Sequence, residues 1–363
     1  MTELNRYRVS HQSLIDVCTS LFAENGVPLE DAKLTAEALV DADLHGVSSH
    51  GVIRAGIYIK RLQEGIVRQK PDLKIVKETD NTVVLDGGNG LGQVVSNQAM
   101  ELAIQKAQDH NVGIVSAKNS NHFGTASYWA TKALEHDMIG IAASNVPPLM
   151  PPPSGAAARI GNNPLSIAVP ADRVKPIVLD MATSVVALGK VLLAKSRGEN
   201  VPDGWAVDKH GQATNRPEEI LNGGYLLPVG GPKGYGLAAI IDILTGVLNE
   251  GAFGSDVHSM YKDFERPANI GHFFMAINLR SFIEPALFRK SVDLYAQYMK
   301  NTPCAPGVSE IFLPGEIEAL NYERNLQEGV ILPKSLVDEL VQYGQQVGIS
   351  DERLQELTQG PLA

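Results

Sequence analysis

The sequence predicts an α/β fold, a central mixed-sheet α/β region framed by helices from both chain ends. Two observations predict it. Between about residues 74 and 316, short β-prone apolar runs alternate with helical periodicity, the pattern of strands and helices packed in layers. On either side of that region, apolar residues recur at helical spacing. The expected organisation is an N-terminal helical domain (1–75), an α/β domain (76–316), and C-terminal helices (317–363) packing with the N-terminal domain.

The elements follow in order. Leu14, Cys18, Leu21 and Phe22 share one helix face, and Gly26 ends that helix. Pro28 suits the first turn of the next helix, which Leu34, Ala38 and Val40 continue to Gly46. Ser48 or Ser49 caps a third helix, running through Ile53, Ile57 and Leu62 to Gly65. KIVKE and TVVLDGG read as short strands closed by a glycine turn. Gln93 to Asp109 reads as a helix with Met100, Ala103 and Ile104 on its apolar face. GIVSAKNSNHFG, MIGIAASN, PLSIAVP and PIVLDMATS each open as a strand and end in small or polar residues. Leu237 to Leu248 is an apolar helix, HFFMAINL a strand, and helices return after Pro314, including Ser335 to Tyr343.

Composition narrows the function. The chain has 363 residues, 44% hydrophobic and 20% charged, ordinary values for a globular protein with a sizeable core. Lys and Arg total 31 against 41 Asp and Glu, a net charge of -10, which opposes nucleic-acid binding. Cys18 and Cys304 are the only cysteines, so neither a disulfide framework nor a thiolate metal cage is expected. The N-terminus MTELNRYRVSHQSLIDV lacks a signal-type apolar stretch, and the run from Leu237 is too short to span a bilayer. The expectation is a cytoplasmic protein without membrane or nucleic-acid partners.

Chemistry concentrates in a few segments. In SSHGVIRAGIYIKR, a helix would put His50, Arg54 and Tyr58 on one face, with Cβ atoms roughly 6 Å apart in succession. That face offers an imidazole, a guanidinium fork matched to carboxylates, and a phenol. It reads equally as a solvated face with a snorkelling Arg. His122, in KNSNHFG, follows an apolar strand, where α/β sheets collect ligands. It reads as a general acid or base, or as a loop His bonded to backbone. His45, His110, His136 and His210 look like surface residues, and His258 and His272 stay undecided. DGGNGLGQ reads as a tight strand-to-helix turn. GPKGYGLAA opens a helix beside Lys233 and matches G-x-G-x-x-G/A only loosely. PPLMPPPSG reads as a rigid lid or connector before RIGNNPL. No H-E-x-x-H, C-x-x-C or G-x-S-x-G occurs, so neither a metal site nor a serine nucleophile is expected. The residues alone suggest a reaction on a small anion, with one His moving a proton and one Arg holding a carboxylate.

SHGVIRAGIYIKRL, NSNHFGTASYWA, IGNNPLSIAVP, LDMATS, GPKGYGL and LPGE occur in this order from residue 49 to 316. Together they resemble the malate/L-lactate dehydrogenase family of the second type, unrelated to the Rossmann-fold lactate and malate dehydrogenases. The flanking text looks most like its ureidoglycolate and malate branches. The resemblance implies a nicotinamide cofactor on a non-Rossmann, mixed-sheet α/β domain, a homodimer, and interconversion of a 2-hydroxy acid and its 2-oxo acid. It implies His122 or His50 as the acid/base, and Ser49, Arg54 and Tyr58 as substrate contacts. It implies Ser144, Asp180, Met181, Ala182, Thr183, Ser184, Pro232, Lys233, Pro314, Gly315 and Glu316 as dinucleotide contacts. NAD is expected; Lys195 and Arg197 would suit the extra phosphate of NADP. The alternatives are a cyclic imine or keto-acid reductase of the same fold, and a non-catalytic anion-binding protein.

Overall fold

The structure, a computed structural model, describes residues 6–358; the signal-free reading of the first five residues lies outside them. Among the described residues, the central sheet has seven strands in the order β2-β3-β4-β11-β5-β6-β7. These are β2 (Lys74–Glu78), β3 (Thr82–Asp86), β4 (Val112–Ser120), β5 (Met138–Ser144), β6 (Leu165–Val169), β7 (Ile177–Met181) and β11 (Ile270–Asn278). Only β3 and β4 pair in parallel; every other pairing is antiparallel. β11 enters between β4 and β5, so β4 and β5 run in the same direction, as does β7 two strands further on. The carboxyl ends of β3, β4, β5 and β7 therefore share one edge of the sheet.

Alternation along the strands sends side chains to two covering layers. Phe274, Ala276, Val115, Ala117 and Ala142 pack against α4 (Gly92–His110) and α5 (Ala126–Thr131). Phe273, Met275, Ile114 and Ala143 face α8 (Pro232–Thr245). Three neighbouring central strands each meet a helix at a glycine. A Cβ on Gly113, Gly140 or Gly271 would lie 1.9, 2.0 or 1.9 Å from the carbonyl oxygens of Ala103, Ala130 and Thr245. The helices sit this close because no side chain separates backbone from backbone.

The second core joins both chain ends. α1 (His11–Glu24), α2 (Leu29–Leu44) and α3 (Ala55–Gln63) pack with α11 (Lys334–Gln346) and α12 (Asp351–Gln355). β1 (Arg6–Val9) pairs with β12 (Val330–Pro333), and α10 (Glu316–Glu328) contacts α2. A smaller cluster gathers α6 (Leu188–Arg197), α7 (Pro217–Leu221) and a sheet of β8 (Ala206–Val207), β9 (Ala213–Thr214) and β10 (Tyr225–Leu226). α9 (Pro285–Lys300) follows β11. Among the described residues, no helix is long and apolar enough to cross a membrane.

Some local expectations need correction. Pro28 is the N-cap of α2, one position before its first turn. The third helix does not begin at Ser48 or Ser49: Ser48–His50 and Val52–Arg54 form separate 3-10 turns, and α3 starts at Ala55. The Leu237–Leu248 helix begins at Pro232, stops at Thr245, and is followed by a 3-10 turn at Val247–Asn249. His45 is half-buried, with its ring 4.7 Å from that of Tyr322 and Nδ1 2.9 Å from the Asp41 carbonyl.

Gly113→Ala and Gly140→Ala each force a methyl group into a helix carbonyl. Each should destabilise the fold by about 1–3 kcal/mol, read as a lower midpoint in thermal unfolding. A midpoint within one degree of the parent would refute the close-approach account.

Candidate active site

Two turns and one strand end build the site. β4 ends at Ser120, and His122 follows with its backbone held by neighbours: Asn121 Nδ2 donates to the Gly90 carbonyl at 2.7 Å and Trp129 Nε1 to the Phe123 carbonyl at 2.9 Å. The helical core brings the other half. Tyr58, 4% exposed on α3, places Oη 2.5 Å from His122 Nδ1. The His50 ring lies against the His122 ring, centroids 5.4 Å apart at 25°. Arg54 Nε donates to the Ser49 carbonyl at 2.6 Å, leaving its two terminal amines as the pair of donors for an anion. The Arg54 guanidinium also lies 5.3 Å from the centre of the Tyr261 ring, a cation–π distance. Ser49 Oγ is 2.9 Å from His50 Nδ1. The expected quartet of His50, Arg54, Tyr58 and His122 thus meets at one place. It does so through turns converging on His122 rather than along one continuous helix face.

The electrostatics favour neutral imidazoles. Burial, then repulsion from protonated His50, the Arg54 cation and protonated His272, holds His122 well below the usual imidazole range. Burial and the Arg54 cation push His50 down to about 4. Burial pushes Tyr58 up to about 12. At neutral pH His122 is an unprotonated acceptor beside a fixed cation and a protonated phenol, which suits a general base acting on an anionic alcohol.

Three supporting residues were not foreseen. Gln93, fully buried at the start of α4, directs Nε2 to Tyr58 Oη at 3.4 Å. His272, undecided from sequence, is fully buried on β11 between Ser120 Oγ (2.8 Å from Nε2) and Ser144 Oγ (3.0 Å from Nδ1). Its ring stacks on Phe123 at 4.6 Å and 5°, and burial pushes it down to about 3. Asp43 of α2 accepts the Val52 N–H at 2.7 Å. The signals were faint: a lone His inside the apolar run HFFMAI, and polar residues inside segments read for their apolar face.

Most of the residues expected at a dinucleotide lie along the same sheet edge, while the Pro314–Glu316 turn runs beside the start of the outermost strand, β7. Ser144 ends β5 and faces His272. Asp180 and Met181 close β7, with Asp180 Oδ2 accepting the Ser127 N–H at 3.2 Å, five residues beyond His122. Ala182, Thr183 and Ser184 run on to a bridge between Ser184 and Pro228. The Thr183 carbonyl accepts the Val229 N–H at 2.9 Å, which brings it to the start of α8, where Pro232 and Lys233 stand. The Pro314 carbonyl accepts the Val178 N–H at 3.0 Å. Gly315, at φ +82, leaves no room for a Cβ beside the Val178 carbonyl. Glu316 is committed internally to Lys300 and to the Leu313 N–H, so it braces this turn.

These residues fit a phosphate-bearing dinucleotide. The Thr183 hydroxyl is buried and, among the described residues, without a hydrogen-bond partner. Gly231, at φ +62, has open space where a side chain would stand, directly before the exposed Lys233; Pro232 has no N–H and the Gly234 and Tyr235 N–H groups go to Val229 and Gly231, so the Lys233 ammonium is the group there suited to a phosphate. Lys195 and Arg197 lie in the last turn of α6.

Comparison with known proteins agrees with the geometry. The family model for malate/L-lactate dehydrogenase matches residues 9–341. A malate dehydrogenase of Pyrococcus abyssi is 39% identical over 95% of this chain and 96% of its own. A ureidoglycolate dehydrogenase (NAD(+)) of Escherichia coli K12 is 34% identical over 93% and 94%. The solved sulfolactate dehydrogenase of Methanocaldococcus jannaschii superposes with a TM-score of 0.90 at 39% identity, over 97% of this chain and all of that one. The chain belongs to the malate/L-lactate dehydrogenase family and is an oxidoreductase.

Proposed function

We propose that the protein interconverts a small 2-hydroxy acid, of malate, lactate or ureidoglycolate type, and its 2-oxo acid, with NAD as cofactor. The observation that carries this reading is the neutral His122, 2.5 Å from Tyr58 and beside Arg54. Arg54 grips the substrate carboxylate through its terminal amines, and Ser49 and Tyr58 line the same anchor. Fixing the carboxylate fixes the carbon that reacts, and positioning of this kind lowers the barrier. His122 takes the hydroxyl proton on oxidation and returns it on reduction, while His50 packs against its ring and limits water. The nicotinamide, when bound, accepts or donates the hydride. Ser144, the stretch from Asp180 to Ser184, Pro232, Lys233 and the turn at Pro314 to Glu316 would hold the dinucleotide. NAD is favoured by the name of the ureidoglycolate dehydrogenase (NAD(+)) relative.

A panel of 2-hydroxy acids, 2-oxo acids and cyclic imines with NAD and NADP, followed at the reduced-cofactor absorbance, tests the reading. Turnover should be strongest with a hydroxy or oxo acid and NAD. On that substrate His122→Ala should lower kcat by about 10²–10⁴, and Arg54→Lys should chiefly raise KM because an ammonium loses the two-pronged grip. An inert wild-type protein across the panel would reject the proposal.

The pH dependence has a definite sign. With His122 depressed below the ordinary value of about 6.5 by burial and by Arg54, the free enzyme keeps its base through neutral pH and loses it only well below. Substrate carboxylate on Arg54 offsets part of that positive potential and raises His122 in the complex. The acid limb of kcat should therefore lie at higher pH than that of kcat/KM for oxidation. Coincident limbs, or the reverse order, would contradict the charge argument.

We also infer a homodimer. The outward face of α8 and the turn after it expose Ile240, Ile243, Val247 and Leu248, each about half accessible, a contiguous apolar patch of the kind that proteins cover by association. Sedimentation should give a dimer for the parent and a shift to monomer for Ile243→Glu. A monomeric parent would exclude this interface.

A further inference from the structure

We propose that Asp43 is a positioning residue for the substrate anchor: its carboxylate, reaching from α2, shapes the paired turns that carry His50 and Arg54. The inference rests on the reading of Arg54 as the carboxylate grip. Asp43 is 2% exposed, and its Oδ2 accepts the N–H of Val52, itself fully buried between His50 and Arg54. In a continuous helix that N–H would go to the Ser48 carbonyl. Instead, Gly51 N–H takes the Ser48 carbonyl at 3.4 Å and Arg54 N–H takes the Gly51 carbonyl at 2.9 Å. Asp43 thus acts as an N-cap supplied from another helix, closing one turn and opening the next.

The fit is steric as well as polar. A Cβ on Gly51 would lie 2.1–2.2 Å from all three atoms of the Asp43 carboxylate group. The carboxylate therefore occupies the space that any side chain at residue 51 would need. The Ser48 side chain also hydrogen-bonds this carboxylate, so Asp43 ties the first 3-10 turn as well as the second. Burying a carboxylate is costly, which points to a role that an apolar residue would not fill. Asn325 steadies the same end of α2, donating Nδ2 to the Leu44 carbonyl at 2.9 Å. Burial pushes the Asp43 carboxyl up to about 7, and in either protonation state an oxygen remains to accept the Val52 N–H. The consequence falls on Arg54: with Val52 held, the chain turns back so that Arg54 Nε meets the Ser49 carbonyl and its terminal amines are presented to substrate.

The test compares Asp43→Asn, Asp43→Ala, Gly51→Ala and the double variant Gly51→Ala/Asp43→Ala in the full chain. Three quantities are read: KM and kcat for the best panel substrate, the Kd of oxalate by calorimetry, and the Kd of the cofactor. Asp43→Ala frees the turn that presents Arg54, so it should weaken oxalate and raise KM roughly tenfold, with cofactor Kd and kcat much less affected. Asp43→Asn, whose amide oxygen still accepts the Val52 N–H, should stay within about threefold. Gly51→Ala should be damaged more than Asp43→Ala, and removing the carboxylate in that background should restore part of the loss. The proposal is overturned if folded Asp43→Ala keeps parental KM and oxalate affinity, or if Asp43→Asn is damaged as badly. If Asp43→Ala does not fold, Asp43→Asn and the Gly51→Ala pair decide. A wild-type protein that binds oxalate but turns over nothing would sink the dehydrogenase reading, while the Asp43 comparison would still stand on oxalate affinity.

Discussion

The contact between Tyr58 and His122 joins parts of the chain that have separate cores. Tyr58 belongs to the helical core made by both chain ends, and His122 to the edge where β4 leaves the sheet. Every property of the site depends on these two bodies meeting at a fixed distance. The desolvation that keeps His122 neutral comes from both sides, and the cation that adds to it comes from the helical side. Arg61 secures the same junction: buried at 2% exposure, it donates to the carbonyls of Met260, Asp263 and Arg266. That loop carries Tyr261 against Arg54. A shift of the helical body would therefore change the proton affinity of His122 and the setting of Arg54 together.

The proton inventory at this contact is restrictive. A neutral imidazole has one N–H. His122 Nδ1 accepts the Gly124 N–H at 3.4 Å and lies 2.5 Å from Tyr58 Oη, so that nitrogen is placed as an acceptor for the phenol and the one N–H falls on Nε2. Gln93 Nε2 approaches the phenol oxygen from another side.

Much of this was legible in the sequence because the signals were local. Strand alternation placed β3, β4, β5, β6, β7 and β11, and helical spacing placed α1, α2 and α4. His122 stood out in the sequence because a polar run follows an apolar strand. The turn between Gly46 and Ala55 was misread as helix for a physical reason: its backbone is set by Asp43, which lies on a different element and is invisible to periodicity. His272 stayed undecided because its partners, Ser120 and Ser144, are 152 and 128 residues away. β12 was missed because a four-residue strand pairs only with β1, at the far end of the chain. What sequence lacks in such cases is the partner, not the propensity.

The weak glycine fingerprint has the same origin. In a doubly wound parallel sheet, one strand, one turn and one helix provide most of the phosphate site, so a short motif suffices. Here antiparallel β11 and β6 separate the co-directional strands, and the edge is assembled from the ends of β4, β5 and β7 and the start of α8. β3, β4, β5 and β7 nevertheless end on the same side, the side where α/β sheets gather ligands. The residues proposed for the dinucleotide are spread in short runs from Ser144 to Glu316, and several are fixed by a neighbour distant in sequence: Thr183 by Val229, Pro314 by Val178, Ser144 by His272. In a fold built this way strand register places such residues, and a one-residue slip in β7 would turn Asp180 and its neighbours to the opposite face.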